Sequence, residues 1–122
     1  MNHPANRTHP RIEVGPEFTT MFTSPWRTHV GTRIRNLSIG GCCIQLHHTE
    51  AGALFQGAQL PILHLNHAAL PKHRLAGRVA WMRSLQEGHG DDQVLVGIEF
   101  QNPHPQFTKA IAAFVQGSPA LP

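Results

Sequence analysis

One feature constrains the fold more than any other. A two-residue hydrophobic period runs through most of the chain in short segments, then gives way near the end to a helical period. In THVGTRIRNLS (28–38), Val30, Thr32 and Ile34 fall on one side and Gly31, Arg33 and Arg35 on the other. Alternate residues of a strand share a face, so this reads as a strand with one polar side. GGCCIQL (40–46) follows a Gly-Gly turn and reads as a second strand. QLPILHLN (59–66), HRLAGRVAWMRSL (73–85) and QVLVGIEFQ (93–101) read as three more. IEVGPEFTTMF (12–22) is rich in β-branched and aromatic residues but broken at Gly15-Pro16. TEAGALFQ (49–56) fits a short helix or turn, and QEGHGDD (86–92) is a turn that makes a hairpin of its flanking strands.

The period changes in PQFTKAIAAFVQG (105–117). Phe107, Ala110, Ile111, Phe114 and Val115 recur at helical spacing and form one apolar stripe. Pro105 suits a first helical turn and Gly117 a C-terminal stop. The expectation is all-β with a terminal helix: about six short strands in a small barrel or sandwich, with the helix stripe buried against it. A length of 122 residues fits one such domain. It divides into a leader (1–11), a β unit (12–103), and a helix with its tail (104–122).

Composition narrows the function classes. Charged residues are 14 % and apolar residues 40 %, which excludes a solvated acidic or basic tail and allows one modest core. A net charge of +3 favours an anionic partner without naming one. No apolar run approaches the roughly 20 residues of a spanning helix, so no membrane insertion is expected. MNHPANRTHP lacks the apolar stretch of a signal peptide, and a cytoplasmic location is the default expectation. Cys42 and Cys43 are adjacent, so on a strand they point to opposite faces, and no disulfide between them is expected. The ten histidines are scattered; His64 and His67 would face opposite sides of a strand, and no metal site is expected. Ser38 lacks the setting of a nucleophile, and the few acids lie in turns or strands, so no enzyme is expected.

Two short stretches carry binding chemistry. NLSIGG places Asn36, Ser38, Gly40 and Gly41 in a strand connection. Asn and Ser bond nearby backbone groups, and glycine lets a ligand approach closely. RTHPR (7–11) places Arg7 and Arg11 four apart in a segment that Pro10 keeps out of a helix. Their planar donor forks suit phosphate oxygens and the O6/N7 edge of guanine. Alone, each stretch also reads as a plain turn and a solvated tail.

Taken together, RTHPR and NLSIGG resemble the R-x-x-x-R and [D/N]-x-S-x-x-G pair of PilZ domains. LAGRVAWMRS followed by VLVGIEF is similar to the late hairpin of that family, and a helix follows in both. The resemblance implies a six-stranded antiparallel PilZ-type β-barrel with a C-terminal α-helix. It also implies a receptor for the bacterial second messenger cyclic di-GMP, with no further cofactor. Arg7 and Arg11 match the motif arginines that grip bases and phosphates as the leader folds over the ligand. Asn36, Ser38, Gly40 and Gly41 match the second motif, and Trp81 a tryptophan that packs on the ligand in some members. Position 36 is asparagine where many members carry aspartate, and an amide accepts fewer bonds than a carboxylate. With no output domain in the sequence, the implied role is an adaptor that signals to a partner protein in motility, pili, exopolysaccharide or biofilm control.

Two alternatives stand beside this. A small basic barrel could bind nucleic acid, but that calls for aromatics on an open basic face, and the chain has no tyrosine. A PilZ-like interaction module without ligand binding would not need both motifs.

Overall fold

The computed structural model describes residues 11–25, 27–85 and 93–117. Its elements are β1 (Ile12–Glu13), β2 (Thr19–Thr23), β3 (Thr28–Leu37), β4 (Gly41–His47), α1 (His48–Ala51), β5 (Gln59–Asn66), β6 (Leu75–Leu85), β7 (Gln93–Gln101) and α2 (Pro105–Gly117). All neighbouring strands are antiparallel, in the order β3-β2-β5-β6-β7-β4, and β4 returns to pair with β3. The six strands β2 to β7 thus close into a barrel, which removes its open edges. The two-residue β1 adds to β3 outside the ring, Ile12 opposite Leu37.

Alternation builds the core. Ile34, Ile44 and Val96 stand opposite one another on β3, β4 and β7, as do Leu37, Cys42 and Ile98, and all are buried. Phe18, Phe22, Leu60, Leu63 and Val79 complete the interior. Each such side chain contributes about 1.5–3 kcal/mol by leaving water. Gly15-Pro16 breaks the first β segment as its residues foretell, leaving β1 and β2 on either side.

Helix α2 follows the expected stripe: Phe107, Ile111 and Val115 are buried, with Ala110 and Phe114 against the core. Phe107 meets Phe100 of β7 edge-on at 5.5 Å, and Phe114 lies 5.1 Å from Phe18 before β2. The helix therefore covers the barrel end where β7 stops and β2 starts. Its N-terminus is capped by His104, whose Nδ1 accepts the Gln106 N–H at 3.0 Å.

One expectation is overturned on β3. Val30 does not share the inward face of Thr32 and Ile34; it is 74 % exposed, and His29 is buried instead. Gly31 has φ +67° and lies where the β2–β3 register shifts, between Thr20↔Thr32 and Phe22↔His29. An extra residue in one strand flips every side chain before it.

His29 stacks on Phe22 at 4.4 Å, its Nε2 is 3.4 Å from Ser24 Oγ, and its Nδ1 is buried without a partner. Burial lowers its pKa, helped by Arg27 and opposed by Glu50. A lowered folded-state pKa means the unfolded chain takes the proton first. Its contribution is complete above the ordinary value of 6.5 and is lost as pH falls below it. Urea midpoints of wild type should drop as the pH is lowered through that region, and His29→Gln should show a shallower drop; parallel curves would remove His29 from the effect.

Candidate functional site

The β3–β4 connection is a tight turn. Ser38 N–H donates to Gly41 O at 2.9 Å. The Ser38 hydroxyl accepts the Gly40 N–H and donates to Gly41 O, both at 3.3 Å. Ser38 therefore spends its side chain on holding the turn, and Asn36 makes no side-chain hydrogen bond among the described residues. Gly40 O accepts the Phe100 N–H at 2.9 Å, which ties the turn to β7. Gly41 is there because nothing larger fits: a Cβ on it would overlap the Ile98 carbonyl oxygen.

Register extends the site sideways. Asn36 stands opposite Cys43, Cys43 opposite Gly97, and Gly97 opposite Trp81. Their neighbours Leu37, Cys42, Ile98 and Val79 form an inward row, so this row lies on the outer wall. Three strand spacings of about 4.8 Å make it roughly 14 Å wide. The sheet is bulged beside both ends of the row, where the register shifts between Ile34 and Asn36 and between Val79 and Trp81. Gly97 gives the Trp81 indole its seat, since a Cβ there would overlap Nε1 and Cε2. Trp81 is half-buried and outside the core cluster.

Arginines border this wall. Burial pushes the Cys43 thiol up, while the charges of Arg11, Arg35 and Arg83 and a bond from Val96 pull the other way. The net direction is up, because burial outweighs the three positive charges. Arg35 Nη1 donates to Gln45 Oε1 at 2.6 Å, and Gln45 Nε2 to Gln93 Oε1 at 3.2 Å. Arg83 stands over the Trp81 ring, 5.6 Å from its centroid. Arg78 is different: it is ion-paired with Glu99 at 2.9 Å.

The structure thus brings Asn36 and Trp81 onto one outward row, with Ser38, Gly40 and Gly41 in the turn beside it and the charge of Arg11 acting on it. Arg7 lies outside the described residues, as do most of the leader (1–11), residues 86–92 where a turn is expected, and residues 118–122. Sequence reasoning singled out none of Cys43, Gly97 and Arg83 as a site residue. Cys42 and Cys43 do point to opposite faces, both as free, buried thiols. Among the described residues no cluster of metal ligands occurs, and no helix is long and apolar enough to cross a membrane.

Comparison with known proteins gives the following. The sequence profile of the PilZ domain matches residues 5–117. No curated protein matches the chain in sequence. Among solved structures, the K. pneumonia MrkH–c-di-GMP complex is similar with a TM-score of 0.76 and 16 % identity, covering 90 % of this chain and 51 % of that one. The PilZ domain of YcgR from Escherichia coli, with c-di-GMP, has a TM-score of 0.70 and 16 % identity, covering 91 % and 89 %. The Bacillus subtilis inhibitor of motility MotI/DgrA has a TM-score of 0.64 and 15 % identity, covering 93 % and 53 %. The chain spans about half the length of the MrkH chain.

Proposed function

The chain belongs to the PilZ domain family, and on that premise we propose that it is a receptor for cyclic di-GMP that binds the messenger without transforming it. The observation that carries this reading is the outward row that begins beside the Ser38–Gly41 turn and ends at Trp81 under Arg83, with the charges of Arg11, Arg35 and Arg83 acting on Cys43 in its middle. Cyclic di-GMP has two phosphates and two guanines. Guanidinium groups match the first by charge and the second by donor geometry and stacking. MrkH and the YcgR domain, both solved with c-di-GMP, have the same fold and support the choice of ligand.

In this reading Arg7 and Arg11 grip the ligand from a leader, residues 1–11, that closes over it. The barrel (12–103) supplies Asn36, Ser38, Gly40, Gly41 and Trp81 beneath, and within the last unit (104–122) the helix covers the barrel end. Ordering a segment costs entropy and lowers net affinity, but it couples occupancy to shape. The closed leader is then the surface a partner protein reads, in the cytoplasm, in control of motility, pili, exopolysaccharide or biofilm. The free thiols Cys42 and Cys43 suit that compartment.

Calorimetric titration of the purified chain with cyclic di-GMP tests the reading. Saturable heat with micromolar or tighter affinity is expected, unchanged by excess GTP. Absence of heat, together with an unmoved melting temperature at high ligand, would overturn it.

A further inference from the structure

Arg83 lies outside both motifs, yet its geometry ties it to the site. It is exposed, forms no ion pair among the described residues, and sits on the outward row next to that of Trp81, with Leu95, Gln45 and Arg33. The indole of Trp81 is seated on Gly97, and Arg83 Cζ stands over its ring, 5.6 Å from the centroid.

That distance is informative. Flat groups in contact lie about 3.5 Å apart, so a purine held between an indole and a guanidinium needs about 7 Å. At 5.6 Å from the centroid the guanidinium is within cation–π reach of the indole, and it has to move outward to admit a base. Exposed side chains change rotamer in picoseconds to nanoseconds, so the small opening is accessible.

We infer that Arg83 is a clasp: one guanine of the ligand slides between the Trp81 indole beneath and the Arg83 guanidinium above. This rests on the receptor reading. Trp81 supplies a face and Arg83 a cation over the base, while the edge of the stacked guanidinium is left to donate to a phosphate oxygen. Without ligand, the cation–π attraction to Trp81 holds Arg83 near its working position. A clasp of this kind slows departure of the ligand more than it speeds arrival, since affinity differences within one interface fall mostly in the dissociation rate.

The test uses the full chain with Trp26→Phe, which leaves Trp81 as the only tryptophan, and cyclic di-GMP as the probe. Saturation should change the Trp81 emission. Arg83→Ala should raise the dissociation rate about tenfold with little effect on association. Arg83→Lys should resemble Arg83→Ala, because an ammonium keeps the charge but not the flat face. An unchanged dissociation rate in Arg83→Ala, full rescue by lysine, or an unmoved Trp81 emission at saturation would each overturn the clasp while leaving the receptor reading intact. Failure of the wild type to bind at all would overturn both.

Discussion

Gly41→Ala is expected to destabilise the chain by about 3 kcal/mol, one methyl group at a half-exposed position notwithstanding. The added Cβ would meet the backbone oxygen of Ile98, not a side chain that could rotate away. Gly41 pairs with Glu99 in the β4–β7 ladder, and its own carbonyl accepts from both the backbone and the hydroxyl of Ser38. Moving it therefore separates β4 from β7 and opens the turn together. For a domain of this size the melting temperature should fall by roughly 10–20 °C. Gly57→Ala is the comparison: Gly57 has φ +92° but no atom within 4 Å of a Cβ, so its cost should stay near 1 kcal/mol, about the usual backbone penalty. Equal urea midpoints for the two variants would show that β4 and β7 can separate without loss and would remove the steric account of the motif's last glycine.

Arg11→Ala is expected to leave folding almost untouched and weaken cyclic di-GMP binding by about 10- to 150-fold. Arg11 is exposed, and removing its guanidinium creates no cavity. A charge-assisted hydrogen bond contributes about 1.5–3 kcal/mol, which converts to that range of affinities. Its charge also reaches Cys43, so the loss would be felt over the middle of the outward row. Calorimetry of wild type and variant at one salt concentration gives the ratio, and thermal melting without ligand provides the control. A binding loss accompanied by an equal loss of stability would instead make Arg11 a structural residue.

Legibility in the sequence followed the physics of each feature. The strands and α2 could be read because burial imposes a period of two or of 3.6 residues on the chain itself. Gly15-Pro16 marked a break for the same local reason. Val30 was assigned to the wrong face because a bulge at Gly31 depends on how β2 meets β3, which no single strand records. His104 as a helix cap was missed because a histidine ring takes the place that Ser, Asp or Asn usually fills.

The candidate site was legible in a different way. Arg7, Arg11, Asn36, Ser38, Gly40, Gly41 and Trp81 came from resemblance; alone, the first six were at home in a turn or a tail and Trp81 in a core. That Cys43, Gly97 and Arg83 share one wall with Asn36 and Trp81 could not be read. They join Asn36 and Trp81 only because β4 and β7 lie between β3 and β6. The alternation rule shows that Cys43 and Arg83 face outward somewhere; closure of the barrel puts them on one wall.

The central claim is that this wall, from Asn36 to Trp81, receives cyclic di-GMP. Backbone amide and indole resonances of the nitrogen-15-labelled chain, followed through a ligand titration, test it most directly. Shifts should concentrate at Asn36, Ser38, Gly40, Gly41, Cys43, Gly97 and the Trp81 indole N–H, all saturating on one curve. Saturation that leaves these resonances in place and moves only those of α1 or the β2–β3 end of the barrel would contradict the account.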